Sequence, residues 1–159
     1  MVRGIRCPED RWAWVEIDLE ALRQNTAALK RQITDGAQMM CVVKADAYGH
    51  GAVRCAKAME RAGADQFAVA TVTEGVELRE AGVHKPILIL SEPPRETVQT
   101  IVDHDLMPAV FTQEFALALG ECAAAAGKVA NYHLAVDTGM TRIGVNWRDV
   151  LELRRCIDF

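Results

Sequence analysis

The sequence has no apolar run approaching the length that crosses a membrane, and its first residues, MVRGIRCPEDRW, contain no hydrophobic signal core. No secretory or membrane-anchored reading follows from it. Paired cysteines are missing too: the five, at positions 7, 41, 55, 122 and 156, include no CxxC pair and are odd in number. That argues against a disulfide framework and for reduced thiols in a cytoplasmic protein. Cys41 lies in an apolar run, where it serves as a small hydrophobe, and no metal-ligating set is expected. A strong charge of either sign is also absent. The net charge is −4 and the pI about 5.6, so neither nucleic acid nor an anionic membrane is an expected partner.

What is present is enough apolar sequence for a sizeable core, 50% of 159 residues, arranged in regular alternation. Trp12 to Asp18 alternates as a strand, and Asp18 stands at an N-cap position before Leu19, Leu22, Leu29 and Ile33 at helical spacing. Asp35-Gly36 is expected to end that helix. Apolar runs at Met39–Val43, Phe67–Ala70, Ile87–Leu90, Met107–Phe111 and Tyr132–Asp137 read as strands. Between them lie helical patterns: one from Val53 stopped by Gly63, and one capped by Thr73 and ending at Gly82. A third is opened by Pro93-Pro94, and a fourth is capped by Thr112 and closed by Gly127. A fifth starts near Trp147. Pro108 is awkward in a central strand because it cannot donate to the ladder. Glu74 and Glu77 are expected on a solvated helix face. Buried strands alternating with helices mean parallel pairing. Spacing alone fits a barrel or a doubly wound sheet equally well.

Chemistry concentrates in Cys41-Val42-Val43-Lys44-Ala45-Asp46-Ala47-Tyr48-Gly49-His50-Gly51. An apolar strand delivers one lysine to its carboxyl end, where burying an amine is unfavourable unless it snorkels or reacts. A phenol follows four residues later, then a glycine turn opening a helix. Such parts build sites at the carboxyl ends of strands in α/β sheets and barrels. The string VVKADAYGHG resembles the cofactor-lysine signature of the alanine racemases, which bind pyridoxal 5′-phosphate as a Schiff base. The second constellation, from His133 through Val136-Asp137-Thr138-Gly139-Met140-Thr141-Arg142-Ile143-Gly144, resembles the same family's H-x-K-V-D-T-G-M-x-R-x-G signature.

The resemblance implies an α/β fold, the N-terminal portion of a TIM (β/α)8 barrel with Lys44 on its first strand. It implies residues 1–159 as part of that barrel domain, the remaining strands and a C-terminal β-domain lying outside this chain. A complete barrel needs roughly 200 residues or more, and the pattern near Phe159 is still helical, as expected of an N-terminal fragment. The strand near Trp14 to Ile17 would pair with the second domain.

By the same resemblance Lys44 carries the cofactor and moves the substrate α-proton, and Tyr48 donates to the cofactor phosphate. Arg142 contacts the cofactor's phenolic oxygen and the substrate carboxylate, and Leu90 walls the pocket. The implied reaction interconverts L- and D-alanine in a homodimer, supplying D-alanine for peptidoglycan. A relative acting on serine or lysine would keep both motifs, as would a cofactor-binding protein without turnover.

His50 reads as a turn residue, and Asp137 and Thr138 as serving their loop. The sequence departs from the family at Ala135, where many members have a lysine that is carbamylated and orients the arginine. Another anion or carboxylate would then have to position Arg142. The only tyrosines are Tyr48 and Tyr132, and neither matches the motif of the family's second acid/base, which comes from a partner subunit. Residues 1–159 alone are therefore expected to lack racemase activity.

Overall fold

The computed structural model describes residues 14–34 and 36–157. Helix α1, Leu19–Gln32, starts where Asp18 accepts from the amides of Glu20 and Ala21, because an aspartate there satisfies donors that the first turn leaves open. It is followed by β1 (Met40–Val42), the turn α2 (Lys44–Gly49), α3 (Ala52–Arg61), β2 (Gln66–Val69), α4 (Val72–Glu80) and β3 (Ile87–Ile89). Then come a 3-10 turn at Arg95–Thr97, α5 (Val98–Asp103), β4 (Met107–Val110) and α6 (Gln113–Ala125). The short strands β5 (His133–Leu134), β6 (Val136–Asp137) and β7 (Val145–Asn146) precede α7 (Val150–Arg155).

The first five strands form one sheet in the order β1-β2-β3-β4-β5, every neighbouring pair parallel. Register sets Cys41 beside Phe67 and Phe67 beside Ile87, while Val42, Ala68, Leu88 and Met107 form the alternate row. The helices cover the face bearing Phe67, Val69, Ile87, Ile89 and Val110, each 0% exposed and packed in one cluster with Leu78, Ile101 and Leu119. Ala68, Leu88 and Ala109 sit on the other face, outside that cluster. Truncating a side chain such as Ile89 in this helix-side layer costs about 2–5 kcal/mol. At the amino ends of the strands, Arg79 donates to the carbonyls of Val83, Lys85, His104 and Asp105, holding the approaches to β3 and β4 together. Burial pushes its guanidinium below the usual arginine range.

Several local expectations are corrected. Trp14 to Ile17 forms no strand; Trp14 is 68% and Val15 80% exposed, and among the described residues no strand pairs with them in a ladder. Trp12 and Ala13, like Asp35, lie outside the described residues. The first helix already ends at Gln32, with Ile33 in extended backbone. Thr71, not Thr73, caps α4: its hydroxyl accepts from the Glu74 amide while the Glu74 carboxylate accepts from the Thr71 amide. Pro93-Pro94 leads into a 3-10 turn before α5 begins.

Pro108 does lie in β4, which is paired on both sides. The ladder to β5 begins only at Ala109, so the donor that Pro108 lacks would have faced chain that precedes β5. The run 132–137 breaks at Ala135. Its second half leaves the main sheet and pairs in parallel with β7, and the last helix starts at Val150 behind an Asp149 cap rather than at Trp147.

Candidate active site

Lys44 leaves the carboxyl end of β1 half-buried. The chain does not continue as strand there because Ala45, Asp46, Ala47 and Tyr48 all adopt left-handed backbone, with φ of 51°, 52°, 52° and 57°. Four consecutive non-glycine residues in that region cost roughly 1–2 kcal/mol each, which only a well-determined surrounding sustains. Several bonds hold the turn. Ala47 N–H donates to Val43 O at 2.9 Å, and Gly51 N–H donates to Asp46 O at 2.9 Å. Ala52 N–H donates to the Asp46 carboxylate at 2.6 Å, so Asp46 also closes the first turn of α3. His50 turns its ring back, Nδ1 within 2.8 Å of Ala47 O, which agrees with a turn role. Tyr48 is 61% exposed at the tip.

Each loop at the carboxyl ends of β1 to β4 is tied to the next. Glu74 Oε1 accepts from Ala45 N–H at 2.7 Å, and its Oε2 accepts from Ala70 N–H at 2.7 Å. Ser91 Oγ donates to Ala70 O at 3.1 Å. Glu92 accepts from Phe111 N–H at 2.6 Å, Thr112 N–H at 2.8 Å and the Thr112 hydroxyl at 2.7 Å. Glu74 is therefore not on a solvated face: it is half-buried, whereas Glu77 is exposed. Sequence reading missed this row of carboxylates, although the glutamate three residues after Thr71 was a legible sign of a capping box.

Leu90 follows β3 directly, its amide donating to Val69 O at 2.9 Å. Arg142 lies in the loop between β6 and β7, exposed. That loop is shaped by Asp137, whose carboxylate accepts from the amides of Gly139 at 2.9 Å and Thr141 at 2.8 Å. These bonds, Thr141's first, hold the Asp137 carboxyl below its ordinary range. Gly144 closes the loop at φ 103°, its Cα passing so near β6 that a Cβ would sit 2.9 Å from Ala135 O.

Lys44, Leu90 and Arg142 thus all lie at or just beyond the carboxyl ends of strands. Lys44 follows β1 at one edge of the five-stranded sheet, Leu90 follows the middle strand β3, and Arg142 stands on the loop between β6 and β7, which the chain reaches after β5 at the other edge. Ala135 offers Arg142 no charge, and none of the ion pairs among the described residues includes Arg142. A groove of about 430 Å³ lies between the segment Val15 to Asp18 with the start of α1 on one side and Val42, Ala47 and Tyr48 on the other; Lys44 does not line it. No group of three His, Cys, Asp or Glu among the described residues is placed to hold a metal ion. None of the described helices is long and apolar enough to cross a membrane.

The segment is a parallel α/β unit whose amine, phenol and guanidinium stand on loops at or beyond the carboxyl ends of strands, the side on which folds of this class carry their ligand sites. The particular family follows from comparison. Residues 17–158 match the model of the alanine racemase N-terminal domain, and the chain belongs to that family. The alanine racemase of Carboxydothermus hydrogenoformans is 46% identical over 142 residues, which cover 89% of this chain and 38% of that protein. Among solved structures, an alanine racemase of Clostridium difficile 630 superposes with a TM-score of 0.86 at 37% identity, covering 96% of this chain and 40% of that one. The alanine racemase of Bacillus anthracis with bound L-Ala-P gives 0.82 at 35% identity, over 94% of this chain and 38% of the other. The chain therefore spans about two-fifths of the length of these relatives and corresponds to part of their barrel.

Proposed function

We propose that these residues are the N-terminal part of the barrel domain of a pyridoxal 5′-phosphate-dependent alanine racemase, an isomerase interconverting L- and D-alanine. The observation that carries the reading is Lys44: an amine at the carboxyl end of the first sheet strand, half-buried and followed by the strained turn that ends in Tyr48. Relatives with alanine analogues bound, L-Ala-P in one and cycloserine in another, support a small amino acid as substrate.

The donor set fits the cofactor. Lys44 has the primary amine needed to bond an aldehyde carbon, Tyr48 a neutral hydroxyl suited to a phosphate oxygen, and Arg142 a fork of donors suited to a phenolate or carboxylate. When bound, the cofactor supplies an electron-withdrawing ring that acidifies the substrate α-carbon. The chain's own residues do the rest. Lys44 takes or returns the α-proton from one side of the substrate, Arg142 orients the carboxylate, and Leu90 walls the pocket. A group outside these 159 residues serves the opposite side, and we assign it to a partner subunit in a homodimer. A cytoplasmic enzyme supplying D-alanine for peptidoglycan is the corresponding role.

The test is reductive trapping. Pyridoxal 5′-phosphate is added to the cofactor-free enzyme, reduced with borohydride and located by peptide mapping. The expected label is on Lys44; a label on another lysine, or none, refutes the reading.

A further inference from the structure

We propose that Glu74 is a positioning residue for Lys44, its two carboxylate oxygens fastening the carboxyl end of β1 to that of β2. The proposal rests on Lys44 being the cofactor amine. Glu74 Oε2 accepts from Ala70 N–H at 2.7 Å and Thr71 N–H at 3.2 Å, the second being the return bond of a capping box. Oε1 accepts from Ala45 N–H at 2.7 Å, a bond between residues 29 apart. Helix capping requires the Thr71 contact and nothing from β1. The Ala45 bond therefore has a separate consequence.

Ala45 is the residue after Lys44 and the first of the four with left-handed backbone. The direction in which the chain leaves β1, and with it the direction of the Lys44 side chain, depends on where this peptide unit is held. An ionised carboxylate has acceptor sites on both oxygens and no donor. It alone among side chains of that length accepts from both strand ends at once. Glutamine would set an NH₂ donor against one of the amides and lose that side. Aspartate keeps the charge and the cap but is one methylene shorter than the span to Ala45.

Losing one charge-assisted hydrogen bond at the base of a reactive amine corresponds to roughly a tenfold effect or more. Glu74→Gln, Glu74→Asp and Thr71→Ala are compared in the full-length enzyme. Thr71→Ala removes the other half of the capping box and leaves the Ala45 bond intact. Three quantities are measured: the rate at which added pyridoxal 5′-phosphate becomes trappable on Lys44, kcat and KM, and Tm. Both Glu74 variants are expected to slow Lys44 labelling and lower kcat about tenfold, with KM little changed because Arg142 is untouched. Thr71→Ala is expected to lower Tm while labelling and kcat stay near wild type. Should Glu74→Gln fail to fold, Glu74→Asp carries the same test. Labelling at the wild-type rate in the Glu74 variants, or equal slowing by Thr71→Ala, overturns the positioning role. A wild-type label elsewhere than Lys44 overturns the functional reading itself and this role with it.

Discussion

Replacing Gly144 by alanine places a methyl group 2.9 Å from the carbonyl oxygen of Ala135 and 2.9 Å from the amide nitrogen of Asp137. Both are backbone atoms and cannot rotate away. To relieve the clash, β7 must move off β6, which breaks the bonds Val145 N–H to Ala135 O, 2.9 Å, and Trp147 N–H to Asp137 O, 3.2 Å. Two backbone bonds at about 1 kcal/mol each, plus about 1–2 kcal/mol for an alanine in left-handed backbone, give about 3–4 kcal/mol. At 1.4 kcal/mol per factor of ten, amide exchange at Val145 and Trp147 should accelerate by at least about a hundredfold. The five-stranded sheet should keep its protection, because none of its ladders involves Gly144. Gly127→Ala is the control: φ there is 64° and a Cβ meets nothing within 4 Å. It should cost only the backbone term and leave exchange at Val145 and Trp147 unchanged. Wild-type exchange at those two amides in Gly144→Ala, or equal destabilisation by the control, refutes the reasoning.

Glu92→Ala removes the acceptor for two amides and the Thr112 hydroxyl at once; a loss of about 2–4 kcal/mol with an unchanged m-value is expected in urea, and a loss below about 1 kcal/mol contradicts it. Asp65 is held below the ordinary carboxylate range by the Lys30 ammonium and then the Met39 amide. Its folded value lies under its unfolded one. The stability it adds is therefore present above the ordinary carboxylate range and is lost as pH falls through the depressed value. The Tm gap between wild type and Asp65→Asn should be widest near neutrality and narrow on acidification; a gap constant from about pH 7 to about pH 2 excludes the linkage.

Much of the fold was legible because its signals are local. Asp18 and Thr112 are short polar residues before helical runs and cap them as read. Gly63, Gly82 and Gly127 stop helices in positive-φ backbone, where a side chain would be strained. Ile87 to Ile89 is apolar at every position and is buried on both faces. Elements whose formation depends on a distant neighbour were misread. Trp14 to Ile17 alternates as a strand should, yet a strand needs a partner, and none lies beside it among the described residues. The run 132–137 looks continuous, but Gly144 lets β7 approach only its second half.

The same division runs through the candidate site. Sequence by itself determined the alternating parallel fold, the family, and the delivery of Lys44 to the carboxyl end of β1, because periodicity and an eleven-residue string are properties of contiguous chain. The tertiary structure decided that the peptide after Lys44 turns left-handed and that Glu74, which by helix pattern alone is solvated, reaches its amide at 2.7 Å. That Asp137 serves the loop carrying Arg142 was legible in the sequence; the close approach of Gly144 to Ala135 and Asp137, which closes that loop, was decided by the tertiary structure. The physical reason is that a carboxylate's partner is whatever amide the packed sheet brings within hydrogen-bonding distance, and that proximity is written in no local stretch of residues.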